Sequence, residues 1–269
     1  MAIDTNDKLI AGIAGQLNRT YLKNALAGTH VAGRPYGLLL AAGNPGAFTV
    51  PTTLAGNNTN GTTLAGAIPY QNAAGGNTDY ISSYMGAASA AGTLRFFDML
   101  WWNGGITPTL TTAQTINSAA FPARDMDGGV NGVGCSLWIY VSATLGAAAP
   151  TITVSYTNSS GTAGRTVTQS SISGAIAGTM IPLTLQAGDV GVQSVQSIQL
   201  SVSQVSGTMH LVLLRPMKGL EFPVAGLGAS KNFYDLGMKV YDGTCLIGQW
   251  TPTTTAGAQI ITEVAFVEG

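Results

Sequence analysis

In residues 4–26, the apolar side chains Ile10, Ile13, Leu17 and Tyr21 recur at steps of three and four, which gathers them on one face of a helix. Asp4 stands where an N-cap acceptor would, Asp7 falls in the first turn, and Gly28 follows the last. Gly12 and Gly15 weaken the segment, each by about 1 kcal/mol relative to Ala. Such a helix needs a surface to lie on, either its own domain or a neighbour. The pattern predicts an N-terminal helix and linker over residues 1–35.

From residue 36 onward the pattern is that of strands, with short apolar runs separated by Gly-, Asn- and Thr-rich turns. The clearest alternation is at 197–203, where Ile198, Leu200 and Val202 alternate with Ser and Gln, giving one buried and one wet face. Segments 151–156 and 165–168 flank a polar, Gly-containing stretch and read as a hairpin with a long tip. Residues 209–214 are apolar nearly throughout, which predicts a central strand covered on both faces, and 136–142 and 239–246 read as further core strands. The predicted fold class is mainly β: a β-sandwich or jelly-roll-like domain over 36–269 with an N-terminal α-helix.

Residues 43–78 break that rhythm. They are almost free of charge and full of Gly, Asn, Thr and Pro. A stretch this long without secondary structure is either functional or disordered inside a compact domain. The expectation is an extended arm or loop that orders against a neighbouring subunit.

The densest aromatic feature is Phe96-Phe97-Asp98-Met99-Leu100-Trp101-Trp102. On a strand, both faces of this run are large and apolar, so both must be covered. One cover would be the core and the other a subunit interface, where Trp, Phe and Met are enriched; a sugar-stacking platform is the rival. Asp98, set in this strand, needs a hydrogen-bonding partner, with Arg95 or Arg124 as candidates. The interface candidates are therefore Ile10, Ile13, Leu17 and Tyr21 on the helix, and Phe97, Trp101 and Trp102 on the aromatic strand.

Few residues are placed for reactive chemistry. His210 falls in an apolar strand run and reads as a satisfied core or interface histidine; His30 has no His, Cys or acid at metal-ligand spacing. Cys135 and Cys245 read as small buried hydrophobes, and their pairing is open. Asp125-Met126-Asp127-Gly128-Gly129 resembles a calcium loop only in its first acids, since Ser136 takes the twelfth position, and a plain turn is expected. No catalytic residue, cofactor site or metal site is assigned, and nothing supports an enzyme; a glycan hydrolase would need two acids converging in a cleft.

Composition sharpens this picture. Eleven Lys and Arg stand against twelve Asp and Glu, and only 9% of the chain is charged, where about 25% is usual. Either neutral polar side chains keep the surface wet or partner subunits cover much of it. A net charge of −1 leaves no electrostatic footprint for nucleic acid. No apolar run approaches the roughly 18–20 residues of a membrane-spanning helix. The polar, acidic opening does not read as a secretory signal. A mean hydropathy of +0.26 and 45% hydrophobic residues argue for a folded chain.

Three stretches carry a resemblance: MAIDTNDKLIAGIAG at the start, RFFDMLWWNGGITPTLTTAQTIN in the middle, and KVYDGTCLIGQWTPTTTAGAQIITEVAFVEG at the end. Together they resemble virion structural proteins of tailed bacteriophages, of the capsid decoration or cement type. The likeness implies a mainly β protein, assembled in the bacterial host cytoplasm and located in the virion. It also implies a homo-oligomer, with a trimer favoured, that binds the major capsid protein and neither nucleic acid nor membrane. It assigns no residue roles. A tail, neck or baseplate component is the alternative, and a carbohydrate-binding module that recognises a host glycan is the second.

Overall fold

In the computed structural model, residues 3–75, 77–116 and 118–269 are described; Met1 and Ala2 of the N-terminal segment, Gly76 of the 43–78 stretch and Asn117 after the aromatic strand lie outside the described residues. Helix α1 (Asn6–Ala14) is followed by β1 (Leu17–Lys23), β2 (Tyr36–Gly37), β3 (Gly43–Asn44), β4 (Gly56–Asn58), β5 (Asp79–Ala88) and β6 (Gly92–Ile106). Then come β7 (Gln114–Thr115), β8 (Ser136–Ala143), β9 (Thr151–Asn158), β10 (Arg165–Ser170), β11 (Met180–Pro182), β12 (Val192–Leu200) and β13 (Thr208–Phe222). The chain ends with β14 (Ala229–Lys231), α2 (Phe233–Leu236), β15 (Met238–Val240), β16 (Leu246–Pro252) and β17 (Ile260–Glu268). The fold is mainly β, as the alternation predicted.

The helix is shorter than the sequence suggested. It starts with the Thr5 hydroxyl accepting from the Lys8 amide, not with Asp4, whose carboxylate pairs with the Lys8 side chain instead. It stops at Gly15, and residues 17–23 form a strand between β17 and β3. Leu17 and Tyr21 are four apart, a spacing that places them on one side of a helix and equally on one side of a strand. Burial decides between the two: Tyr21 and Lys23 are buried while Asn18 and Thr20 are exposed, a period of two. Strand structure thus already begins at residue 17.

Three antiparallel sheets make up the body. The first has the order β14-β5-β17-β1-β3 with β15 also on β5, and the second has the order β10-β9-β12-β7. The third, in the order β11-β8-β13-β6-β16-β2, carries β4 beside β6. The 15-residue strands β6 and β13 of this third sheet serve two cores. Leu94 and Phe96 at one end of β6 pack with Tyr21, Tyr84, Val264 and Phe266 of the first sheet. Farther along β6, Leu100, Trp101 and Ile106 pack with Val154, Tyr156, Ile198 and Leu200 of the second. Adjacent strand residues point to opposite faces. Accordingly Trp102, Tyr140 and Val212 join a third cluster, which is covered by Leu39, Phe48, Val50, Leu64 and Ala67.

That cover comes from the stretch expected to reach out as an arm. The described residues of 43–78 fold back on the chain's own body. Strand β3 pairs with β1 and β4 with β6, and the Phe48 and Ile68 amides donate to Leu39 and Leu246 carbonyls. The few apolar residues scattered through the stretch, Phe48, Val50, Leu64, Ala67, Ile68 and Tyr70, suffice to hold it down. Lys23 anchors its start: the buried ammonium donates to the carbonyls of Ala41, Pro45 and Gly46 at 3.1, 2.8 and 3.3 Å.

The strands predicted at 136–142, 151–156, 165–168 and 209–214 all form. Two differ. The strand at 197–203 ends at Leu200, leaving Val202 exposed in the turn that follows. The run 239–246 is broken after Val240 by a turn in which the Thr244 amide donates to the Tyr241 carbonyl, so β16 starts only at Leu246.

Candidate functional site

Of the seven interface candidates, four are consumed by the chain's own core. Tyr21, Phe97, Trp101 and Trp102 are each at most 5% exposed, and Leu17 is partly buried against the first cluster. The second cover predicted for the aromatic strand is supplied by residues 38–67 of the same chain, not left open for a subunit. Ile10 and Ile13 are the two that present apolar surface, at 66% and 44% exposure.

Asp98 is the polar exception in the aromatic strand, lying on β6 between the stretches that serve the two cores. It is wholly buried and accepts from Arg124 Nε and Arg215 Nη2, each at 3.2 Å, and from the Cys245 amide at 2.8 Å. Arg124 also donates to the Thr59 and Met99 carbonyls. Arg95, the other candidate partner, points outward. Breaking such a buried pair from one side leaves uncompensated charge, so this is a structural joint.

Asp125 and the two cysteines are similarly tied down. Asp125 accepts from the amides of Asp127, Gly129 and Val133, making it the hub of a turn. Cys135 and Cys245 are free thiols in different clusters, and burial pushes each up to about 12. No group of three or more His, Cys, Asp and Glu arranged to hold a metal ion occurs among the described residues. His210 is buried between Ser142 and a backbone carbonyl.

The open surface that stands out is the outer face of the first sheet, away from the core. Antiparallel pairing lines up Leu22, Ile261 and Ala87 in one row, and Thr20, Glu263 and Met85 in the next. Farther along β17, Val267 lies on the same face, and α1 covers that end: a Cβ on Gly12 would stand 3.6 Å from Val267 Cβ. The Ile261 end is uncovered. Met85 is 55% exposed and Ile261 49%. Leu22, Ala87, Gly226 and Ile261 line a shallow recess of about 240 Å³. Val224 and Leu227, both exposed, stand in the loop whose Gly226 amide is fixed to the Ala88 carbonyl. Glu263 is the one charged side chain in the two rows.

No family model matches the chain, and no curated protein matches it in sequence. Among solved structures it shows a weak likeness to the VP2 subviral particle of infectious bursal disease virus, with 10% identity, a TM-score of 0.18, and coverage of 94% of this chain and 80% of that one. The T13 particle of the same virus gives 11% identity and a TM-score of 0.19, over 94% and 76% of the two chains. Both are virus-particle shells, and at those TM-scores the likeness carries no argument about this chain.

Sequence reasoning passed over the open face because its residues come from three separate segments, around 22, 86 and 261. Ile261 lies in a run of apparently ordinary strand alternation, Ile260-Ile261-Thr262-Glu263-Val264. The one available signal was the pair Ile260-Ile261, which places an isoleucine on each side of the strand.

Proposed function

We propose that the chain is a structural subunit of a phage virion, a capsid decoration or cement protein that acts through buried area instead of chemistry. The observation that carries this reading is the uncovered apolar half of the first sheet's outer face, where Met85 and Ile261 stand exposed beside the Leu22–Ala87 recess. Monomeric soluble proteins rarely keep contiguous apolar surface open without a partner for it. The first partner we assign to this face is a second copy of the chain, which closes a symmetric oligomer. Several such subunits then attach together, and multivalent attachment multiplies modest contacts. At about 25 cal/mol per Å² of apolar area, even a few hundred Å² matters before ordering costs are subtracted.

The test is fractionation of mature particles of the virus that encodes the chain. A decoration subunit sediments with intact heads in a fixed ratio to the major capsid protein, and the Ile261→Glu variant is depleted from them while still folding. Recovery of the chain only in the free protein fraction sinks the proposal, and recovery with separated tails moves it to the tail.

A further inference from the structure

We propose that Ser142 and His210 form a nucleophile–base pair able to take the acyl group of a small, uncharged ester. This goes beyond the structural role and does not depend on it.

Ser142 lies one residue before the end of β8 and His210 lies on the neighbouring β13, with the Ser142 Oγ 2.6 Å from His210 Nε2. On its other side, His210 Nδ1 stands 3.2 Å from the Asn103 carbonyl oxygen. A carbonyl only accepts, so Nδ1 carries the ring hydrogen, Nε2 keeps its lone pair, and the serine hydroxyl donates to it. That is the arrangement an activated serine requires: a base within hydrogen-bond reach, held in the correct tautomer by a third group. Asn103 is thus a positioning residue through its backbone. The ring is locked further by Trp102, whose centroid lies 4.7 Å away at an interplanar angle of 33°. Burial pulls the imidazole down to about 4, so it is neutral at pH 7 but a weaker base than a free histidine.

Geometry also supplies access. His210 is wholly buried, whereas Ser142 is only partly so. Ser142 lines a recess of about 410 Å³ whose walls include Val50, Pro51, Ile106 and Pro108. No Asp, Glu, Lys or Arg lines it, and Thr52, Thr107 and Thr208 stand among the apolar walls, so the fitting substrate is uncharged.

In the reaction, Oγ attacks the ester carbonyl carbon while its proton passes to Nε2. The carbon–oxygen bond to the alcohol breaks, and the departing alkoxide takes that proton. Water then attacks the acyl-serine, giving its proton to Nε2 and from there to Oγ, and the carboxylic acid leaves.

The competing view is that the hydroxyl merely satisfies a buried imidazole, in which case the serine is inert. Treating the full-length chain with a fluorophosphonate probe separates the two. The expected result is one adduct per chain, mapped to Ser142 by peptide mass spectrometry, absent in Ser142→Ala and formed at least tenfold more slowly in His210→Gln. With p-nitrophenyl acetate, a burst of one p-nitrophenolate per chain is expected, and Ser142→Ala loses it. Ser142→Ala removes one partly exposed hydroxyl, so its circular dichroism spectrum is expected to match that of the parent chain, and it serves even if His210→Gln fails to fold. No adduct on the folded chain, an adduct at another residue, or unchanged labelling in Ser142→Ala overturns the proposal.

Discussion

At the scale of single residues, the sequence foretold that Asp98 needs a partner but not how many. Arg124 was within sight of it in the chain; Arg215 is 117 positions away and reaches it only because β13 pairs with β6. Replacing Asp98 with Asn leaves two buried guanidinium groups without their carboxylate. The expected loss is about 3–5 kcal/mol, read as a lower urea midpoint at unchanged slope. Trp101, wholly buried in the second cluster, is a stability residue, and Trp101→Ala is expected to cost about 3–5 kcal/mol. A Trp101→Ala chain with undiminished stability would contradict that burial. His210 adds a pH dependence. Its folded-state value of about 4 lies below the ordinary 6.5, so between those values the unfolded chain binds more protons than the folded one. Stability therefore falls as pH drops from 6.5 toward 4, and the contribution is fully present above 6.5. Unfolding of wild type and His210→Gln at pH 7 and pH 4.5 checks this: the difference between them should shrink at the lower pH.

At the scale of elements, alternation and turn chemistry made most of the strands readable, because the two long sandwich cores need one apolar face per strand. The hairpin from β9 to β10 and the doubly covered β13 follow directly from composition. The N-terminal segment misled because a four-residue spacing fits both periods, and only the pairing of β1 with β17 resolves it. The 43–78 stretch misled for another reason. Its polar composition hides six apolar contacts that act only once β6, β8 and β16 are in place. Its closeness to the body is tested at Gly105, which has φ +55° and whose added Cβ would meet the Thr52 carbonyl oxygen at 2.3 Å. Gly105→Ala is expected to cost more than about 1 kcal/mol and to make 46–64 more sensitive to limited proteolysis than in the parent chain. Unchanged resistance would mean that the contact of 51–53 with Gly104 and Gly105 does not hold the stretch down.

At the scale of the whole molecule, scarcity of charge was legible and its meaning was not. Folding accounts for part of it: the aromatic strand and the Gly-rich stretch cover each other, so neither needs a neighbouring subunit. What is left for a partner includes the open half of one sheet face and, on α1, Ile10 and Ile13. Whether that surface binds a second copy is answered most directly by the solution mass, using size exclusion coupled to light scattering on the wild type and on the Met85→Glu, Ile261→Glu double variant. The wild type should run as a closed oligomer of the 27.4 kDa chain, a dimer if the face pairs with itself, and the variant as a folded monomer. A wild type that stays monomeric at every concentration, or a variant that assembles as the wild type does, would contradict the assignment of this face.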